Sequence, residues 1–165
     1  MDEGEFRAFY ERTARPLRAY LVASCRDRVL ADDLLQEAFF RFLRSGFSSD
    51  DEAYRKNYLY RIATNLLRDH FRRRRPQAEL TVTDGQAERF SGDTQLRSDV
   101  GAAMAELRPR DRQILWLAYV EGANHREIGR AVGVKAASIR SMLFRARQRL
   151  AQALGERGIG PEVMG

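Results

Sequence analysis

Between residues 135 and 149 the chain carries Lys135, Arg140, Arg145, Arg147 and Arg149 and no acidic residue. A guanidinium is always charged and forks onto a phosphate or onto the acceptor edge of guanine, so this block has the chemistry of nucleic-acid contact. At 100° per residue Ile139, Leu143, Ala146 and Leu150 fall on one side. Ala137, Arg140, Ser141, Phe144 and Gln148, flanked by Arg145, fall on the other. Lys135 and Ser138 stand at the start of the same helix. Small and polar side chains beside arginine are what a helix needs to reach base edges in a major groove.

A second row is Arg61, Asn65, Arg68 and Arg72, within about 60° on one face of a helix whose other face is Leu59, Ile62, Ala63, Leu66 and Leu67. Arg73, Arg74 and Arg75 extend the charge, and Tyr58 and Tyr60 precede it. Arginine with an amide and nearby aromatics suits single-stranded or melting nucleic acid, where bases stack and phosphates are tracked. A solvated amphipathic helix with a basic C-terminus would read the same way. A third face holds Asp33, Gln36, Glu37 and Arg41 with Phe40 in its middle. A phenylalanine ringed by acid and amide fits a protein partner, or a side chain tucked under a loop.

Other chemistry is excluded. The two histidines, His70 and His125, stand alone, and Cys25 is the one cysteine. That leaves no disulfide framework, no cysteine zinc cage and no nucleophile–base set, and no cofactor is expected. The acidic runs Asp32/Asp33 and Asp50/Asp51/Glu52 do not form a catalytic pattern, so no enzymatic activity is expected. A nucleic-acid-processing enzyme would need such a cluster for metal.

The 165 residues are 44% apolar and 32% charged, with a formal charge of +6. Only Lys56 and Lys135 are lysines; the other bases are arginine. The longest uncharged apolar stretch, residues 114–120, is far below the roughly 18–20 residues of a membrane span. The acidic start lacks an apolar run, so no signal peptide and no membrane insertion are expected, and a cytoplasmic location is. Residues 1–75 and 99–165 are each net +4, while residues 76–98 are net −2 and rich in Thr, Ser, Gly, Asp and Gln.

These patterns predict an all-α chain: two small helical domains joined by a flexible linker, the C-terminal one a helix-turn-helix. The first covers residues 1–75, the linker 76–98, the second 99–154, with a mobile tail at 155–165. Helices are expected at 5–22 (with Pro16 a possible kink), from Asp27 or Ala31 to 44, from Asp51 or Ala53 to 75, and at 99–107, 110–120 and 135–154. Asn124 with Glu127 forms a capping-box pair opening a short helix that ends at Gly133. Residues 80–83 are the only strand candidate.

HREIGRAVGVKAASIRSMLFRARQRL has helix-turn-helix spacing. Ile128, Val132, Val134, Ile139 and Leu143 face inward, and Gly129 and Gly133 stand where close approach and a turn are needed. With ADDLLQEAFFRFLR and NYLYRIATNLLRDHFRRRR, in this order about a polar linker, it resembles the extracytoplasmic-function (ECF) type of bacterial sigma factor over nearly the whole chain. These segments look like the family's region 4, region 2.2, and regions 2.3 and 2.4.

The resemblance implies a non-catalytic subunit that recruits core RNA polymerase to promoter DNA. It places Asp33, Gln36, Glu37 and Phe40 on the clamp helices of the largest polymerase subunit. It places Tyr58, Arg61, Asn65, Arg68 and Arg72, with the loop at residues 46–54, on the −10 element. Lys135, Ala137, Ser138, Arg140, Ser141, Phe144, Arg145 and Gln148 would meet the −35 element. Family members are often held inactive by an anti-sigma partner. The chain departs from the family at Tyr58, which replaces a tryptophan, at Met142, which replaces an arginine, and at Asn124, which stands at a Ser/Thr cap. From the residues alone, a dimeric helix-turn-helix regulator on an inverted operator is the alternative.

Overall fold

A computed structural model describes residues 1–74 and 94–160, with side chains from Asp99 onward in the second segment. Among the described residues there are seven helices: α1 (Glu3–Cys25), α2 (Arg28–Ser45), α3 (Glu52–Arg73), α4 (Thr94–Ala105), α5 (Pro109–Tyr119), α6 (His125–Val132) and α7 (Ala136–Gly155). Among the described residues there is no strand. The candidate strand at 80–83 and most of the 76–98 linker lie outside the described residues. The linker's last residues, from Thr94, are already helical and open α4.

Local chemistry explains most boundaries. Asp2 accepts from the Glu5 N–H at 2.7 Å and Glu5 reaches back to the Asp2 N–H, so α1 opens on a reciprocal cap. Asp27 caps α2 through the Leu30 N–H, and Asp51 caps α3 through the Ala53 N–H. Pro109 occupies the first turn of α5, where the amide it lacks would have no partner. Helix α1 passes through Pro16 as one element. Asn124 and Glu127 form the expected box at 2.8 and 2.9 Å.

Helices α6 and α7 build the helix-turn-helix. Gly133 closes α6 with φ 79°, a left-handed conformation that costs glycine least. Gly129 is buried under the following turn, where a Cβ would be driven into the Val134 carbonyl. Ile128, Val132, Ile139 and Leu143 fill the angle between the helices, each at most 4% exposed.

The two halves share one core. Phe9, Leu17, Tyr20 and Leu21 of α1, Leu59 and Leu67 of α3, Ile114 and Leu117 of α5, and Ile128 and Ile139 belong to one buried cluster. Helix α1 packs on α5 and α3 packs on α6. A smaller cluster joins Ala103 of α4 to Ala153, Leu154 and Ile159. Part of the expected mobile tail is therefore packed: Ile159 is buried and its N–H donates to the Leu154 carbonyl at 3.0 Å.

Gly129→Ala should lower stability by about 2–3 kcal/mol, because the clash is with backbone and not with a side chain that can swing away. Gly133→Ala should cost about 1–2 kcal/mol, the usual penalty for a left-handed alanine. Urea midpoints of the full chain measure both, and equal stability of Gly129→Ala and the parent chain would contradict the packing.

Candidate nucleic-acid interface

On α7, Ala137, Arg140, Ser141, Phe144, Arg145 and Gln148 are all exposed; Lys135, the N-cap residue, is exposed too, and Ser138 is half-buried. Phe144 remains 54% exposed although apolar. Ile139, Leu143 and Ala146 are buried behind them. The helix thus turns one polar, cationic face outward over its whole length, as its period requires.

The basic block is less uniform in space than in sequence. Arg149 donates to Asp111 Oδ2 at 2.9 Å, and Arg108 approaches the same oxygen at 3.5 Å. Asp111 is 2% exposed. Arg147 donates to Tyr119 Oη at 2.9 Å. These two arginines therefore tie α7 to α5 and fix its angle, and Lys135, Arg140 and Arg145 form the outward charge. Sequence spacing cannot show this division, because the acid that engages Arg149 is 38 residues away.

Helix α3 displays its second row differently along its length. Arg68 and Arg72 are exposed, and Arg72 pairs with Asp69 at 2.6 Å. Asn65 is half-buried and its Oδ1 has no hydrogen-bond partner. Tyr58 stacks on Phe47 with ring centroids 4.3 Å apart and also touches Phe42. This aromatic group anchors the 46–51 loop onto α3. Arg61 is exposed and reaches the edge of the helix-turn-helix: its Nη1 is 3.4 Å from the Arg130 carbonyl. His70, also on α3, is half-buried; burial first, then Arg74 and Arg73, hold its pKa below the usual imidazole value.

Around Arg61 the two halves meet through polar groups, of which sequence reading named Tyr60 only, and as a stacking aromatic. Tyr60 Oη donates to Glu121 Oε2 at 2.9 Å, and Lys56 Nζ sits 3.3 Å from Glu121 Oε1. The Arg130 guanidinium lies 4.8 Å from the Tyr54 ring centroid. Deeper in, Arg112 donates through Nη2 to the Ser24 carbonyl at 2.6 Å and through Nη1 to the Leu107 carbonyl. Burial and the neighbouring Arg26 bring the Arg112 pKa down to about 10, so it stays cationic at neutral pH.

On α2, Asp33, Gln36 and Phe40 are exposed, and Glu37 is half-buried and accepts from Arg41 at 2.7 Å. Arg44 covers Phe40 at 5.4 Å. Phe40 is not tucked under a loop; it is 53% exposed. Val29, 73% exposed, and Leu43, 51% exposed, lie on the same side, about 20° and 60° from Phe40. Leu43 stands at the rim of the apolar arc, about 40° beyond the buried Phe39, and stays exposed although the adjacent Phe42 is buried. The acidic face is therefore an apolar strip edged by Asp33 and Gln36. Among the described residues no cluster of three or more His, Cys, Asp or Glu could hold a metal ion, and no helix is long and apolar enough to cross a membrane.

Burial raises the Glu121 pKa above 4.5, against the opposing pull of Tyr60 and Lys56. A carboxyl raised by folding adds stability that is complete below about pH 4.5 and is lost as pH rises through the raised value. Glu121→Gln keeps an acceptor for Tyr60 and removes the cost of a buried charge. At pH 7 its urea midpoint should equal or exceed that of the parent chain, with the difference closing near pH 4. A markedly lower midpoint at pH 7 would contradict the sign.

The Sigma-70 region 2 family matches residues 9–77 and the Sigma-70 region 4 family matches residues 97–150. RNA polymerase sigma factor CarQ of Myxococcus xanthus is 30% identical, over 92% of this chain and 90% of its own length. ECF RNA polymerase sigma factor SigM of Bacillus subtilis is 29% identical, over 93% of this chain and 96% of its own. ECF RNA polymerase sigma factor SigE of Mycolicibacterium smegmatis is 33% identical, over 92% of this chain and 66% of its own. In fold, the chain matches the sigma factor RpoE solved in complex with the anti-sigma factor NepR from Bartonella quintana. The TM-score is 0.67 at 21% identity, over 92% of this chain and 97% of that one. An outward cationic helix-turn-helix, a second arginine row and an acidic apolar strip, carried on matched regions 2 and 4, place the chain in the ECF-type sigma factors, which direct promoter-specific transcription initiation with RNA polymerase.

Proposed function

We infer that the chain divides this task among three faces. The outward side of α7, with Lys135, Ala137, Ser138, Arg140, Ser141, Phe144, Arg145 and Gln148, reads the −35 element in the major groove. Helix α3, through Arg61, Asn65, Arg68 and Arg72, holds the −10 element as it melts. Tyr58 acts there by holding the 46–51 loop in place. The α2 strip of Asp33, Gln36, Glu37 and Phe40, lengthened by Val29 and Leu43, docks on the clamp helices of the largest polymerase subunit. The observation that carries this reading is the exposure of the polar α7 face, Ser138 alone being half-buried, beside a buried apolar one.

Two weak sites held on one polymerase act at a raised effective concentration, which is the physical reason for splitting recognition between two helices. The chain performs no catalysis of its own and works in the cytoplasm, where polymerase is. An inhibitor of the anti-sigma kind, as in the RpoE–NepR complex, fits a chain whose activity rests on exposed cationic faces.

Replacing Asp33, Gln36 and Phe40 together by alanine should weaken binding to core polymerase at least tenfold in a fluorescence titration. Duplex DNA binding by the full chain should stay unchanged; a loss of DNA binding instead would move the docking face elsewhere. Arg140→Ala should cost about 1–3 kcal/mol and relax preference at one upstream base pair if the guanidinium reads a base. Equal weakening on every sequence would make Arg140 a phosphate contact. Competition binding against single-base variants of the selected upstream element measures both quantities.

A further inference from the structure

Arg61 of α3, Arg126 and Arg130 of α6, and Lys135 at the start of α7 line one cleft of about 390 Å³. Its remaining wall is Gly129, Gly133, Val134 and Ala136, so no acid takes part. Among the described residues none of the four cations pairs with a carboxylate, whereas Arg12, Arg18, Arg41, Arg72, Arg149 and Arg157 each do. Arg61 reaches only a carbonyl, that of Arg130 at 3.4 Å, and the Arg130 guanidinium rests on the Tyr54 ring at 4.8 Å.

The backbone, and not a counter-charge, brings these groups together. Arg126 and Arg130 are four apart on α6 and share a face. Gly133, at φ 79°, turns the chain so that Lys135 comes back beside them. A Cβ at Gly133 would stand 3.0 Å from the Arg61 guanidinium, so a side chain there would fill the cleft. Lys135 is the N-cap of α7, yet no side chain caps that end. The first amides of α7 therefore lack a side-chain acceptor, and the aligned peptide dipoles add to the positive potential. A concave site of one sign focuses that potential on an incoming anion.

The chemistry of the lining selects the anion. Guanidinium forks onto phosphoryl oxygens, and open helix amides take further oxygens. One phosphoryl group brings up to about two negative charges, so a chain of two or three matches four cations. The volume falls within the roughly 300–1,000 Å³ of small-molecule sites.

We propose that this cleft binds a small polyphosphate, free or carried by a nucleotide, which bridges α3 and the helix-turn-helix. The site is additional to promoter recognition. Arg61 and Lys135 are common to both, so a bound polyphosphate competes with promoter DNA for them.

Calorimetric titration of inorganic triphosphate into the full chain tests the site. Binding should be one to one. Arg61→Gln and Arg126→Gln alter opposite walls at exposed positions. Each should weaken binding roughly five- to tenfold, the low end for a hydrogen bond between charged groups because both side chains are exposed. Arg7→Gln removes the same charge from an exposed position on α1 and should leave binding unchanged. Triphosphate should also raise the urea midpoint of the parent chain, and Arg61→Gln should remove most of that rise. The same unfolding curves establish that each variant is folded.

No binding, or an equal loss in Arg7→Gln, would overturn the site. A loss in Arg126→Gln with none in Arg61→Gln would also overturn it, and would place the anion on the helix-turn-helix alone as a duplex phosphate contact. Citrate binding more tightly than triphosphate would overturn the phosphate assignment. A nucleoside triphosphate that binds more tightly than inorganic triphosphate identifies the ligand as a nucleotide, and equal binding identifies it as the phosphate chain alone. No transcription readout enters, so failure here leaves the sigma-factor reading intact.

Discussion

A buried guanidinium at the end of α1 holds the described fold together. Helix α1 ends with carbonyls that have no amide partner within the helix, and Arg26 beyond them is the one non-glycine residue with positive φ among the described residues. Arg112, from the other half of the chain, donates to the Ser24 carbonyl from both Nε and Nη2. Its third contact, to the Leu107 carbonyl, holds the α4–α5 turn. One side chain thus caps a region 2 helix and braces a region 4 turn. Removing it would strand buried carbonyls on both sides, which is the expensive way to lose a hydrogen bond.

That brace sets up the rest. With α5 fixed against α1, α6 is carried onto α3, and α7 is held outward by Asp111 and Tyr119 of α5. The arrangement separates charges by role. Arg112 and Arg149 are structural, Arg61 and Arg130 belong to the seam between the halves, and Arg140, Arg145 and Arg68 face solvent. A chain with many arginines and few lysines can serve all three roles. A planar guanidinium brackets carbonyls and carboxylates in the interior and still forks onto phosphate outside.

Local rules account for what the sequence revealed. Asn124 with Glu127, Asp27 and Asp51 act over two or three residues, and Gly133 closes α6 at a left-handed turn; each is readable in place. The period of α7 separates Ile139, Leu143 and Ala146 from Arg140, Ser141 and Phe144 without reference to any other element. What sequence reading missed acts across the chain. Glu121 looks like a loop acid, yet Tyr60, 61 residues earlier, donates to it. Arg112 looks like a surface base, yet it reaches a carbonyl 88 residues earlier. Leu43 shows the opposite case: it is apolar but sits at the rim of the buried arc of α2, so it stays exposed beside the buried Phe42. α4 starts earlier than expected because polar residues at 94–98 gave no apolar period to count.

Everything functional rests on the claim that one polypeptide addresses two unlike DNA elements while bound to polymerase. Run-off transcription from a library of promoter-length fragments, with purified core polymerase and the full chain, measures this most directly. The account predicts transcripts starting at a fixed distance downstream of two different conserved motifs about 25 base pairs apart, roughly 85 Å along the duplex. Selection of a single inverted repeat, with no start sites beyond those of core polymerase alone, would contradict it.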